Sequence, residues 1–209
     1  MRQFSRPTLI AALLLATSAH AGEQARSTPP FTAIDMQGAI SLTVDAGSKQ
    51  SLAVSGSDKF IDGVSTEVVN GVLRIRMRDK ESNRKHGEQR IAITMPELRA
   101  LTVEGAGVIK LNNIRGPRLD VDYQGAGKMD ITGAVKTFRM KAEGVGQVDT
   151  RELIADDVNV DFEGVGGVRV YAKQRLDATV QGMGSLTYYG RPKIVNQRAE
   201  GLGKVSAGD

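Results

Sequence analysis

Glu104-Gly-Ala-Gly107, Gln124-Gly-Ala-Gly127, Glu143-Gly-Val-Gly146, Glu163-Gly-Val-Gly166, Gln181-Gly-Met-Gly184 and Glu200-Gly-Leu-Gly203 are six copies of one unit. Their first glycines lie 20, 19, 20, 18 and 19 residues apart, and the units hold half of the chain's 24 glycines. Such a period marks an array in which each repeat packs on its neighbours. Before the glycines, apolar and polar residues alternate, as in Leu119, Val121, Tyr123 and in Val158, Val160, Phe162. Beyond them the alternation resumes, as in Met129, Ile131 and Val168, Val170. Period two with one apolar face means half-buried strands. A leucine-rich repeat of similar length needs a fixed Leu ladder and an Asn position, which are missing here.

The reading is therefore all-β: a parallel β-helix or solenoid with coils of about 19 residues. Two strands would meet at each Gly-x-Gly corner, followed by a short third segment. The structural corners are Gly105, Gly107, Gly125, Gly127, Gly144, Gly146, Gly164, Gly166, Gly182, Gly184, Gly201 and Gly203. Glycine suits a bend where a Cβ would clash or φ is positive. The residues between the glycines (Ala106, Ala126, Val145, Val165, Met183, Leu202) are expected to turn inward. Columns through Val121, Met140, Val160 and Ala178 should line the interior.

Stacking aligns the outward residues too. One column reads Thr102, Asp122, Lys141, Asp161, Thr179, Arg198, and another Ala100, Asp120, Arg139, Asn159, Asp177, Asn196. Acid and base alternate between neighbouring repeats, about 4.8 Å apart in a sheet, so cross-strand attraction is expected. A solvated charged face explains these columns.

The half from Phe31 to Pro96 reads as less regular β structure. Strands are expected over Ala39–Val44, Ser51–Ser55 and Ile91–Met95. Val64–Val69 and Val72–Met77 flank Asn70-Gly71, a two-residue hairpin signal, and Ser57 to Gly63 reads as a helical turn. Arg78 to Arg90 is a polar loop. Nothing like a linker divides 31–209, which is read as a single β-solenoid head domain.

The first 21 residues have a positive start at Arg2 and Arg6, an apolar run from Thr8 to Ser18, and Ala19-His20-Ala21. This is the pattern of a cleaved signal peptide, and Gly22 in place of Cys argues against lipoprotein processing. Residues 22–30, polar and ending in two prolines, read as a flexible lead-in. The product is expected outside the cytoplasm, in the periplasm or at the cell surface. Without the leader, 26 basic face 24 acidic groups, a formal charge of +2. That balance, with no interleaved aromatics, excludes a nucleic-acid partner.

With no Cys, disulfides, thiol catalysis and Cys-ligated metals are excluded. His86, alone after the leader, cannot make a His-based zinc site, and it lies in a charged loop away from any evident serine nucleophile. No cofactor and no catalytic residue are assigned. Glu143 and Glu163 occupy equivalent places in adjacent repeats with Asp161 nearby, a pairing that a polysaccharide lyase or glycosidase would use. These three, with Arg84 and Lys85 of the basic loop, form the candidate ligand surface.

Phe31-Thr-Ala-Ile34, Asn70-Gly-Val-Leu-Arg-Ile75, Ile91-Ala-Ile-Thr-Met-Pro-Glu-Leu98, the Gly-x-Gly units and Tyr189-Gly-Arg-Pro192 occur in an order that resembles a bacterial family. That family is the putative autotransporter-adhesin head domain, or GIN-type head domain. The resemblance spans Phe31 to Asp209, and it implies an exported β-helical protein. Glu or Gln stands before the glycine pair where Ser is common in relatives. The expected function is a non-catalytic envelope or surface binding module, with a polysaccharide-active enzyme as the alternative. The partner would be an envelope glycan or protein, and a monomer is favoured over a homo-oligomer.

Overall fold

The computed structural model describes residues 22–77 and 89–209. The proposed signal peptide and most of the charged loop, with Arg84, Lys85 and His86, lie outside the described residues.

Among the described residues, the chain forms one sheet of ten strands and a single short helix. In chain order these are β1 (Gly22–Ala25), β2 (Ala33–Gln37), β3 (Ser41–Ala46), β4 (Ser51–Gly56), α1 (Asp58–Gly63), β5 (Val64–Val69) and β6 (Val72–Met77). Then come β7 (Arg90–Met95), β8 (Ala100–Tyr189), β9 (Ile194–Gly201) and β10 (Lys204–Ala207). The sheet runs β1-β4-β7-β3-β8-β2-β6-β5, with β9 and β10 also paired to β8. The chain is all-β as read, and β5 and β6 form the hairpin over Asn70-Gly71 with Val69 opposite Val72. Ser57 caps α1 by accepting from the Phe60 amide.

The repeat is visible in the register. Strand β9 lies parallel on β8 with Arg175 beside Ile194 and Gly182 beside Gly201. The array also starts earlier than its motif. Strand β2 lies parallel on the first repeat of β8, with Gln37 beside Glu104. A Cβ on Gly105 would strike the Gly38 carbonyl, and one on Gly107 the Ile40 carbonyl. Gln37-Gly-Ala-Ile40 is thus a copy of the corner in which buried Ile40 replaces the second glycine.

Interior positions carry the expected residues. Val121, Met140, Val160 and Ala178 are all buried, within a core that extends from Phe31 to Leu186. Phe162 packs against Gly184, where a Cβ would collide with its ring. Ser55 and Thr150 are the polar exceptions among the described residues: the Ser55 hydroxyl donates to Glu23, and that of fully buried Thr150 donates to the Arg169 carbonyl one repeat on.

Three expectations are corrected. First, the residues between the corner glycines face solvent rather than the core. Val145 is 57 %, Met183 60 % and Leu202 82 % exposed. Ten of the twelve corner glycines have positive φ, from 82° to 155°, so the bend stays extended and the in–out alternation passes through it. The glycine sites face the neighbouring backbone and the residue between them faces out. Gly184 and Gly203 are the other two, and side chains rather than positive φ account for them: Phe162 crowds Gly184, and the Val180 Cγ1 would lie 2.9 Å from a Cβ on Gly203. Second, the lead-in is ordered at its start. Strand β1 pairs antiparallel with β4, and the Arg26 guanidinium donates to the carbonyls of Ile61 and Val64 at 2.7 Å each. Composition alone suggested a tail because these partners sit 35 and 38 residues away.

Third, most of the ion pairs run along strands rather than between them, with Arg76–Asp35 and Arg169–Asp149 as the cross-strand exceptions. Arg118–Asp120 (2.6 Å), Lys128–Asp130 (3.0 Å), Lys141–Glu143 (2.6 Å), Asp149–Arg151 (2.7 Å) and Arg175–Asp177 (2.7 Å) each join residues two apart. Residues i and i+2 share one face of a strand, and a long basic side chain bends easily to its own neighbour. Asp149 is the most engaged. Hydrogen bonds from Arg151 above all, with Arg169 3.6 Å away, hold its carboxyl below the ordinary range. A depressed folded value means that this stabilisation is complete above the unfolded pKa and is lost as pH falls through the folded value. The urea midpoint of Asp149→Asn is therefore expected to lie below that of the parent above about pH 5, and the two should converge as pH falls below about 4. A gap independent of pH would contradict this.

Candidate functional site

The strand segments that precede the corners build one flat polar face. Pleating sends every second residue outward, and the repeat register aligns these residues into columns. The column at the corner reads Gln37, Glu104, Gln124, Glu143, Glu163, Gln181, Glu200. Its glutamines have a physical role. The Gln37 amide donates to Glu104 at 2.8 Å and the Gln124 amide to Glu143 at 3.0 Å. Where amide alternates with carboxylate the column is spared the repulsion of adjacent like charges, and Glu143 beside Glu163 is the one place where two carboxylates follow each other.

Of the candidate residues, the structure brings Glu143, Asp161 and Glu163 together around one depression of about 200 Å³, with Lys141, Thr179 and Gln181. Glu143 is fully engaged there. Lys141 and then Gln124 hold its carboxyl below the ordinary range, and Glu143 in turn raises the Lys141 ammonium. A glycosidase acid needs the opposite shift, upward, to carry a proton near neutrality.

Two further depressions adjoin it on the same face. One of about 240 Å³ is lined by Asp122, Arg139, Lys141, Asn159 and Asp161. The other, about 340 Å³, is lined by Arg139, Asp157, Asn159, Arg175 and Asp177. Shared lining residues make the three a continuous shallow trough across the repeats. Arg139, Asn159 and Asp122 escaped the reading of the sequence as site residues. Their signal was positional only, since each lies in an outward column that a solvated face explains equally well.

Beside this trough runs a ridge at the corners, where Ala106, Ala126, Val145, Val165, Met183 and Leu202 stand exposed between Glu104, Glu143 and their equivalents. The face thus offers a polar floor along one apolar edge.

No curated protein matches the chain at a significant level. Among solved structures, a putative adhesin from Bacteroides fragilis is similar with a TM-score of 0.77 and 22 % identity, covering 91 % of this chain and 98 % of that one. A protein from Parabacteroides distasonis, described as a putative lipid binding protein, gives a TM-score of 0.53 and 19 % identity over 91 % of this chain and 98 % of that one. At such identities these likenesses concern the fold. A family model matches residues 30–192, and by that match the chain belongs to the family described as putative auto-transporter adhesin, head GIN domain.

Proposed function

We propose that the protein is an exported, non-catalytic binding module of the cell envelope or surface, which presents one rigid polar face to a partner. Membership of an adhesin-type family supports a surface role. The observation that carries the reading is the trough itself: three adjoining shallow depressions on a hydrogen-bonded sheet, broad where an enzyme cleft would be deep. Parallel pairing at a 19-residue offset and the glycine columns support a β-solenoid, a frame that keeps such a face rigid.

The competing polysaccharide-active enzyme rests on Glu143 and Glu163, and the downward-held Glu143 carboxyl speaks against Glu143 as its proton donor. Purified protein is to be mixed with envelope polymers and envelope extracts, scoring both retention and release of reducing ends. Retention without turnover is the expected result, unchanged in kind for Glu143→Gln and Glu163→Gln. Turnover that disappears in either variant would overturn the reading.

A further inference from the structure

We propose that Asp122, Arg139, Asn159 and Asp161 form a binding site for an uncharged polysaccharide, whose chain lies across the strands along the direction in which the repeats stack. The proposal rests on the binding-module reading and names its ligand class.

The first ground is unused hydrogen-bonding capacity. On either side of this patch, charges are satisfied internally, by Arg118–Asp120, Lys141–Glu143 and Arg175–Asp177. In the middle, Asp122, Arg139, Asn159 and Asp161 are exposed, and their side chains make no hydrogen bond or ion pair among the described residues. Two carboxylates, a guanidinium and an amide, gathered at one depression of about 240 Å³, offer acceptors and donors in planar pairs. Neighbouring hydroxyls of a sugar ring match that geometry: a carboxylate accepts from two of them, and a guanidinium donates to two.

The second ground is charge. The lining of the three depressions carries Asp120, Asp122, Glu143, Asp157, Asp161, Glu163 and Asp177 against Arg139, Lys141 and Arg175, an acidic excess that opposes a polyanion. A nucleic acid or an acidic polymer would meet two carboxylates in the floor. A neutral polyol meets only hydrogen-bonding partners.

The third ground is periodicity. Neighbouring strands lie about 4.8 Å apart, and from Asp120 and Asp122 onward each repeat places a polar residue at the same two column positions. That step is of the order of one sugar unit, so a linear chain meets fresh polar groups at each step. The backbone under these groups belongs to the sheet, so little ordering is needed on binding.

The test is calorimetric titration of the purified protein with cellohexaose, chitohexaose and mannohexaose, and with polygalacturonate and heparin as anionic comparators. At least one neutral hexasaccharide is expected to bind, and its trisaccharide more weakly. Arg139→Ala and Asp161→Asn should each weaken that binding tenfold or more, with unchanged thermal midpoints, whereas Glu200→Gln, outside the trough, should leave it unchanged. The proposal falls if no neutral hexasaccharide binds, if only the anionic polymers do, or if the Arg139 and Asp161 variants bind as the parent does. Retention on envelope material that survives periodate destruction of sugar diols would sink the glycan assignment and leave the binding-module reading standing. Cleavage of the hexasaccharide would do the reverse, provided that the Arg139 variant still loses binding.

Discussion

Gly125→Val is expected to abolish folding, or to lower stability by more than about 4 kcal/mol in urea unfolding followed by far-UV circular dichroism. Gly125 has φ of 150°, and a Cβ there would overlap the Gly105 carbonyl oxygen of the preceding repeat. A β-branched residue is strained in that conformation wherever it occurs. Here the clash is with backbone, which sheet hydrogen bonds hold in place, so neither partner can yield. The reach is longer than one contact, since Gly144 bears on Gly125 in the same way and Gly164 on Gly144. Displacing one corner therefore displaces the next. Val145→Ala, one corner along but facing solvent, is the control, and it should stay within about 0.5 kcal/mol of the parent. Comparable losses for the two variants would show that the corners are not close-packed.

Phe138→Ala should cost about 3–5 kcal/mol, the range for emptying a large aromatic site in a closed core. Phe138 is 1 % exposed and is among the largest fully buried side chains, in the column that Leu119 and Val158 continue. The transition should also broaden. In an array stabilised mainly by contacts between neighbouring repeats, a weakened repeat uncouples the segments on either side of it. A lower apparent m-value accompanying the lower midpoint is the expected signature. A loss below about 1 kcal/mol would mean that the interior does not close around Phe138.

Much of this architecture was legible from periodicity alone. The alternation that named Val121, Met140, Val160 and Ala178 as interior is a direct consequence of the pleat, and all four are buried. The hairpin and α1 were equally local, fixed by Asn70-Gly71 and by the Ser57 cap. What escaped depends on distant neighbours. The corner at Gln37 was hidden because Ile40 takes the place of the second glycine, and only its pairing with Glu104 across 67 residues reveals it. The outward turn of Val145 followed from the positive φ of Gly144 and Gly146, a backbone property that hydropathy does not register. The candidate site was half legible. Glu143, Asp161 and Glu163 do share a depression, but which polar groups are spent on each other and which stay open emerges only from side-chain pairing.

The ion pairs within strands bear on how such a chain can change its length. Arg118 with Asp120, Lys141 with Glu143 and Arg175 with Asp177 keep each counter-charge inside a single repeat. Duplicating or deleting a unit built on such a pair would keep that pair's two charges together. Arg169, which reaches back to Asp149, would instead be left behind by loss of the unit before it. The glycine column would simply re-form between the new neighbours. Selection can then act on the number of repeats, and so on the length of the trough, separately from the chemistry at any one position within it.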